Sequence, residues 1–180
     1  MRQMASFKMV ATSLADRTKS YLAAHAGIDV TAVNVVTDDV DHLKLRQATA
    51  VIGVGGCVGM LIAFSLSQRV ADVLFERLTA GIDVPPDKEA DYREAAVTEA
   101  ANVIIGNCTA DFTADGGSIS LSPPVMLEET KSIFRMKDAM FGTVTMETPY
   151  GPFDIHMVGP RNMFDAELNY ENVSIDHAIA

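Results

Sequence analysis

The run Glu94-Ala95-Ala96-Val97-Thr98-Glu99-Ala100-Ala101-Asn102-Val103-Ile104-Ile105-Gly106 decides how the rest of the chain is read. At helical spacing Val97, Ala101, Ile104 and Cys108 form one apolar stripe, while Ala95, Thr98, Glu99, Asn102 and Gly106 share another face. A solvated face would carry several long charged side chains. Here one carboxylate and one carboxamide stand among very small residues, which leaves room for something to come close. Glu99 and Asn102, at i and i+3, project side by side about 5–6 Å apart at Cβ, so one incoming group could meet both. On spacing alone the plainer account is an Asn that bonds its own backbone beside a surface Glu.

Outward from this run, Pro85-Pro86 breaks the chain, and Asp87 with Glu89 places negative charge at the positive end of the helix, which should run to about Thr113, before Gly116-Gly117. Ser118 to Leu121 alternates as a half-buried strand until Pro123-Pro124 removes two backbone donors. Segments 131–137, 141–148 and 153–158 read as an antiparallel meander, the last pair joined through Pro149-Tyr150-Gly151-Pro152 and carrying a structural His156. The tail from about residue 160 is polar and acidic, and is expected to be loosely attached. On the amino-terminal side, Ser67 can cap a packing helix with Val70, Val73, Leu74 and Leu78 inside, ending near Gly81. Ala48–Val54 and Cys57–Phe64 read as a hairpin joined at Gly55-Gly56. Residues 3–26, with Phe7, Val10, Leu14, Tyr21 and Leu22 as packing residues among polar positions, form an amphipathic helix stopped by Gly27, and Asp38, Asp39, Asp41 and His42 make a solvated acidic loop.

With 180 residues, 48% of them hydrophobic, the chain suits one well-filled core, a single domain over 1–180. Fourteen basic against twenty-four acidic residues, a net charge of −10, argue against nucleic acid and anionic membrane surfaces as partners. No run reaches the eighteen or so apolar residues of a membrane span, and the first sixteen residues lack the unbroken apolar core of a secretory signal, so the expectation is a cytoplasmic protein without membrane insertion. Cys57 and Cys108 read as small buried hydrophobes, and four scattered histidines give no metal-ligand spacing. Gly53, Gly55, Gly56 and Gly59 do not fit a dinucleotide fingerprint, and no G-x-S-x-G elbow occurs. A small-molecule enzyme built on the glycine-rich hairpin is the weakest reading.

Glu99-x-x-Asn102, followed by Pro124, resembles the motif of the CheX/CheC/FliY family of chemotaxis phosphatases, and Gly106 stands where that family's helix commonly has a glycine. The resemblance covers roughly residues 5 to 159. It implies an α+β fold, with helices packed on an antiparallel sheet and a structural pseudo-repeat that the sequence does not display. It also implies hydrolysis of the aspartyl phosphate of a CheY-type response regulator in chemotaxis signalling. Asn102 would hold the attacking water, Glu99 would engage the regulator's active-site lysine, Ala95 and Gly106 would allow close approach, and Pro124 would be scaffold. No cofactor of its own is implied, Mg²⁺ belonging to the phosphorylated partner. CheX-like members are similar in pairing through their sheets, so a homodimer is expected. The first helix has no second Glu-x-x-Asn, which gives one site, as in CheX. Four residues before the glutamate the family commonly has Asp or Ser; this chain has Ala95. That departure keeps open an alternative from another class, a non-catalytic adaptor or motor-associated binding module of the same fold.

Overall fold

In the computed structural model, which describes residues 6–37, 41–113, 116–127, 132–134 and 137–161, helix α1 (Phe7–Tyr21) starts at Ser6, whose hydroxyl accepts the Met9 N–H at 3.1 Å. It continues as a π-helical turn over Leu22–Ala26 and stops at Gly27, whose φ of +61° suits a residue without a Cβ. The predicted inward residues Phe7, Val10, Leu14, Tyr21 and Leu22 are all buried. Strands β1 (Ala32–Thr37), β2 (His42–Lys44), β3 (Ala48–Gly56) and β4 (Met60–Leu66) follow, then helices α2 (Gln68–Leu78) and α3 (Glu89–Phe112). The second set of strands is β5 (Ile119–Leu121), β6 (Val125–Leu127), β7 (Ser132–Phe134), β8 (Ala139–Thr148) and β9 (Gly151–Pro160).

The fold is α+β. A seven-stranded antiparallel sheet has the order β1-β8-β9-β4-β3-β5, with β6 also on β3, and β2 pairs with β7 in a separate two-stranded sheet. That order is symmetric about the central β4–β9 pair. Outward on each side come the hairpin partners β3 and β8, then the edges, β1 on one side and β5 with β6 on the other. Each half begins with a long helix, α1 or α3, and gives one strand, β2 or β7, to the small sheet. The pseudo-repeat is therefore a repeat of topology. In the second half the edge is split into β5 and β6 at Pro123-Pro124, where two backbone donors are missing.

Strand alternation separates the two faces of the large sheet. Ala50, Ile52, Phe64, Val144, Ile155 and Met157 belong to the main core with the inner faces of the three helices. On the other face Asp154, His156, Thr49, Ser65 and Phe141 are buried. There Arg46, just past β2, donates to Asp154 at 2.6 Å and its own N–H to Ser65 Oγ at 2.7 Å. Residues 44–46 thus lie across the back of β4 and β9.

Several expectations need correction. Gly55 and Gly56 lie inside β3, and the turn is Cys57-Val58-Gly59. The glycines are there because β5 crosses at that point: a Cβ on Gly56, at φ +89°, would collide with the Ser118 carbonyl. His42 is in a strand rather than a loop, while Asp38 and Asp39 fall outside the described residues. Ser67 occupies the cap position, yet its hydroxyl donates to the Tyr150 carbonyl at 3.3 Å instead of capping. β7 pairs with β2, not with its chain neighbour β8, so the meander reduces to β8 and β9. Gly151 and Pro152 already belong to β9, which continues to Pro160; the acidic tail from 162 lies outside the described residues. β6 was not anticipated.

Candidate functional site

Helix α3 lies between its neighbours α1 and α2. Its inner side, Ala96, Val97, Ala100, Ala101, Ile104, Ile105, Cys108 and Phe112, is buried, which explains the run of alanines: close packing and high helix propensity in the same residues. Arg93 anchors the amino-terminal half, bridging Asp72 of α2 and Glu89 at 2.9 Å each, with its guanidinium over the Phe75 ring. At the other end Asp111 accepts from Ser13 at 2.6 Å and from Arg17 at 2.8 and 3.0 Å, tying α3 to α1. Those bonds hold the Asp111 carboxyl below its usual range, Arg17 contributing more than Ser13.

Between these anchors Ala95, Glu99, Asn102 and Gly106 share one exposed face. Neither the Glu99 nor the Asn102 side chain makes a hydrogen bond to a described residue. Thr98 is half-buried, and its hydroxyl is committed to the backbone carbonyls of Glu94 and Ala95 at 3.0 and 3.2 Å. Among the described residues a Cβ on Gly106 would meet nothing within 4 Å. Nothing among the described residues asks for glycine there, although glycine in a helix interior costs about 1 kcal/mol relative to alanine.

One neighbour of this face was missed by sequence reasoning, which assigned Tyr21 to packing alone. Tyr21 ends α1 and is 5% exposed, and burial, then the nearby Glu99 carboxylate, hold its phenol above the usual range. The exposed His25 ring in the π-helical turn stacks against it at 4.7 Å between centroids. With Arg17 at Asp111 and Tyr21 beside Glu99, α1 and α3 run antiparallel. Only that packing brings Tyr21 to the motif, and no sequence spacing reports it. Pro124 is half-buried between β5 and β6, and no hydrogen bond links it to α3. Met126 and Leu127, just beyond it, border the flank of α3 at Ala90, Arg93, Glu94 and Val97.

The other candidate chemistries find little support. Burial pushes the Cys108 thiol up to about 11; Cys57, expected to be buried, is only partly so, packs against the core and donates its thiol to the Phe112 carbonyl at 3.6 Å. Among the described residues no three His, Cys, Asp or Glu side chains converge as metal ligands, and no helix is long and apolar enough to cross a membrane.

The family model described as chemotaxis phosphatase CheX matches residues 48–145, from β3 into β8, a stretch that includes Ala95, Glu99, Asn102, Gly106 and Pro124. Among solved structures, the chemotaxis protein CheX from Desulfovibrio desulfuricans is 19% identical with a TM-score of 0.70, covering 82% of this chain and 97% of its own. A putative chemotaxis protein from Desulfovibrio vulgaris Hildenborough is 21% identical at a TM-score of 0.69, with coverage of 82% and 94%. The CheX–CheY–BeF3–Mg²⁺ complex from Borrelia burgdorferi gives 15% identity, a TM-score of 0.60 and coverage of 88% and 99%. No curated protein sequence matches the chain.

Proposed function

The chain belongs to the chemotaxis phosphatase CheX family, and from that premise we propose that it hydrolyses the aspartyl phosphate of a CheY-type response regulator. The observation that carries this reading is the pair Glu99 and Asn102, exposed, without hydrogen-bond partners among the described residues, and set between Ala95 and Gly106 on a helix held at both ends. An acyl phosphate is already labile, so the requirement on the protein is positioning rather than a strong nucleophile or a metal of its own. The α3 face docks on the regulator's phosphorylation site. Asn102 places its carboxamide beside the phosphoryl group, donating and accepting hydrogen bonds so that one water lies in line with phosphorus. Water attacks, the bond from phosphorus to the aspartyl oxygen breaks, inorganic phosphate leaves and the carboxylate is restored. Glu99 pairs with the regulator's active-site lysine and fixes the helix there. Mg²⁺ bound to the regulator neutralises charge on the phosphoryl oxygens. The complex of a Borrelia relative with CheY, BeF3 and Mg²⁺ supports this choice of partner.

Single-turnover dephosphorylation of a phosphorylated CheY-type regulator, with partner titration and thermal melts alongside, tests the reading. Asn102→Ala should lower the rate at saturation on the order of 100-fold with binding little changed, because its interaction matters chiefly in the transition state. Glu99→Ala should weaken association by about 2–5 kcal/mol, since the partner's cation is left unmatched. Both positions are exposed and alanine favours helix, so neither variant should melt far below the parent. Near-normal turnover in folded Asn102→Ala would sink the mechanism. Ala95 favours a second reading, because it removes the side chain common four residues before the glutamate: the protein binds the regulator and releases no phosphate, as an adaptor would. In that case the parent itself gives no turnover while binding persists.

A further inference from the structure

We propose that Tyr92 is the apolar anchor of the regulator-docking surface and sets which regulator is accepted; this rests on the α3 face being the site that meets the regulator. Seven residues of α-helix turn through about 700°, some 20° short of two turns, so Tyr92 lies almost in line with Glu99, about 10.5 Å toward the amino terminus. Tyr92, Ala95, Glu99, Asn102 and Gly106 thus occupy one arc of about 80° on the same helix. Tyr92 is the large side chain of that arc, and it is 37% exposed. Its side chain makes no hydrogen bond and no ring contact to a described residue, unlike Tyr21, whose ring lies against His25. An aromatic residue left more than a third exposed, in line with the two motif residues, has the properties of an interface anchor: large area, few rotamers and a polar tip.

The chemistry around it specifies the partner's surface. Glu89, Asp91 and Glu94 are exposed about Tyr92; Asp91 is matched by Lys88 at 3.3 Å and Glu89 by Arg93, whereas Glu94 has no ion-pair partner among the described residues. The complementary feature on the regulator is a shallow apolar socket rimmed by Lys or Arg, about 15 Å from its aspartyl phosphate, the rise along α3 from Tyr92 to Asn102. Regulators lacking that socket dock poorly even with the same phosphorylation site.

The test is equilibrium titration of the full chain with a BeF3–Mg²⁺-loaded CheY-type regulator, together with single-turnover dephosphorylation at limiting and saturating regulator. Tyr92→Ala should raise the concentration for half-maximal binding about ten-fold or more while leaving the saturating rate unchanged, and Tyr92→Phe should restore binding. Unchanged binding in folded Tyr92→Ala overturns the proposal, as does a loss confined to the saturating rate, or a Tyr92→Phe variant as weak as Tyr92→Ala. Asn102→Ala, run in parallel, separates the two claims. If it retains full turnover the catalytic reading fails, yet the effect of Tyr92 on binding still decides the anchor.

Discussion

Gly106 and Gly56 illustrate how differently one residue type is determined. At Gly56 the cause is internal, a positive φ and a strand passing where a Cβ would be. At Gly106 a Cβ would meet no described residue within 4 Å. Gly106→Ala should therefore stabilise the fold by about 1 kcal/mol, the helix propensity difference, read as a rise in melting temperature. Gly106→Leu should melt no lower than the parent yet bind the phosphorylated regulator at least about ten-fold more weakly, because a branched side chain now stands on the docking face. If Gly106→Leu binds normally, the glycine does not serve close approach. The exposure of Ala95, Glu99, Asn102 and Gly106 was legible from the residues themselves, since a 3.6-residue period fixes which positions share a face once the apolar stripe is identified. The neighbourhood of Tyr21 was not, because it depends on a second helix 78 positions away.

The element that sequence reading placed least well is the back layer of the sheet. β9 was anticipated, but the partners of its inward polar residues were not. His156 is 3% exposed, with Nδ1 at 2.9 Å from the Thr143 hydroxyl. Burial is the largest influence on its imidazole and lowers the pKa below the usual value; Asp154 and the Lys44 carbonyl oppose this and Arg46 adds to it. A base whose folded pKa is depressed binds its proton first in the unfolded chain. Its contribution to stability is thus fully present above the unfolded pKa of about 6.5 and declines as pH falls toward the folded value. Melting temperature should fall as pH is lowered from 7 to 5, and His156→Gln should flatten that slope. An unchanged slope would mean that other groups carry the dependence. β7 was misassigned for a related reason: a three-residue strand has too little pattern to name its partner, and β2, its partner, is 90 positions away.

At the scale of the whole molecule, the exposed large hydrophobic residues are informative. Val33 and Val35 are on edge strand β1, Leu61 is on the back face of β4, Val125 is on β6 and Phe134 is on β7, all at least 46% exposed. The β1 edge, which no further described strand covers, and Leu61 on the back face are apolar surface of the kind that proteins normally cover. A homodimer formed through the sheets would cover it, leaving the helical face free for the regulator. Light scattering should give twice the 19.3 kDa chain mass at micromolar concentration, and Leu61→Asp should shift it toward monomer without unfolding. A monomer mass for the parent would refute this. What the sequence by itself determined is local. Helix periodicity, glycine and proline stops and the Glu-x-x-Asn spacing are encoded within a few residues, so α1, α2, α3, the hairpins and the face carrying Glu99 and Asn102 could be read directly. What only the tertiary structure decided is long-range: the order β1-β8-β9-β4-β3-β5, the symmetry of its two halves, the β2–β7 pairing, and the placement of Tyr21 beside Glu99. The physical reason is that backbone hydrogen bonds between strands are chemically identical whichever strand supplies them. Partner choice is therefore settled by how all the apolar faces are buried at once, and no single segment records that outcome.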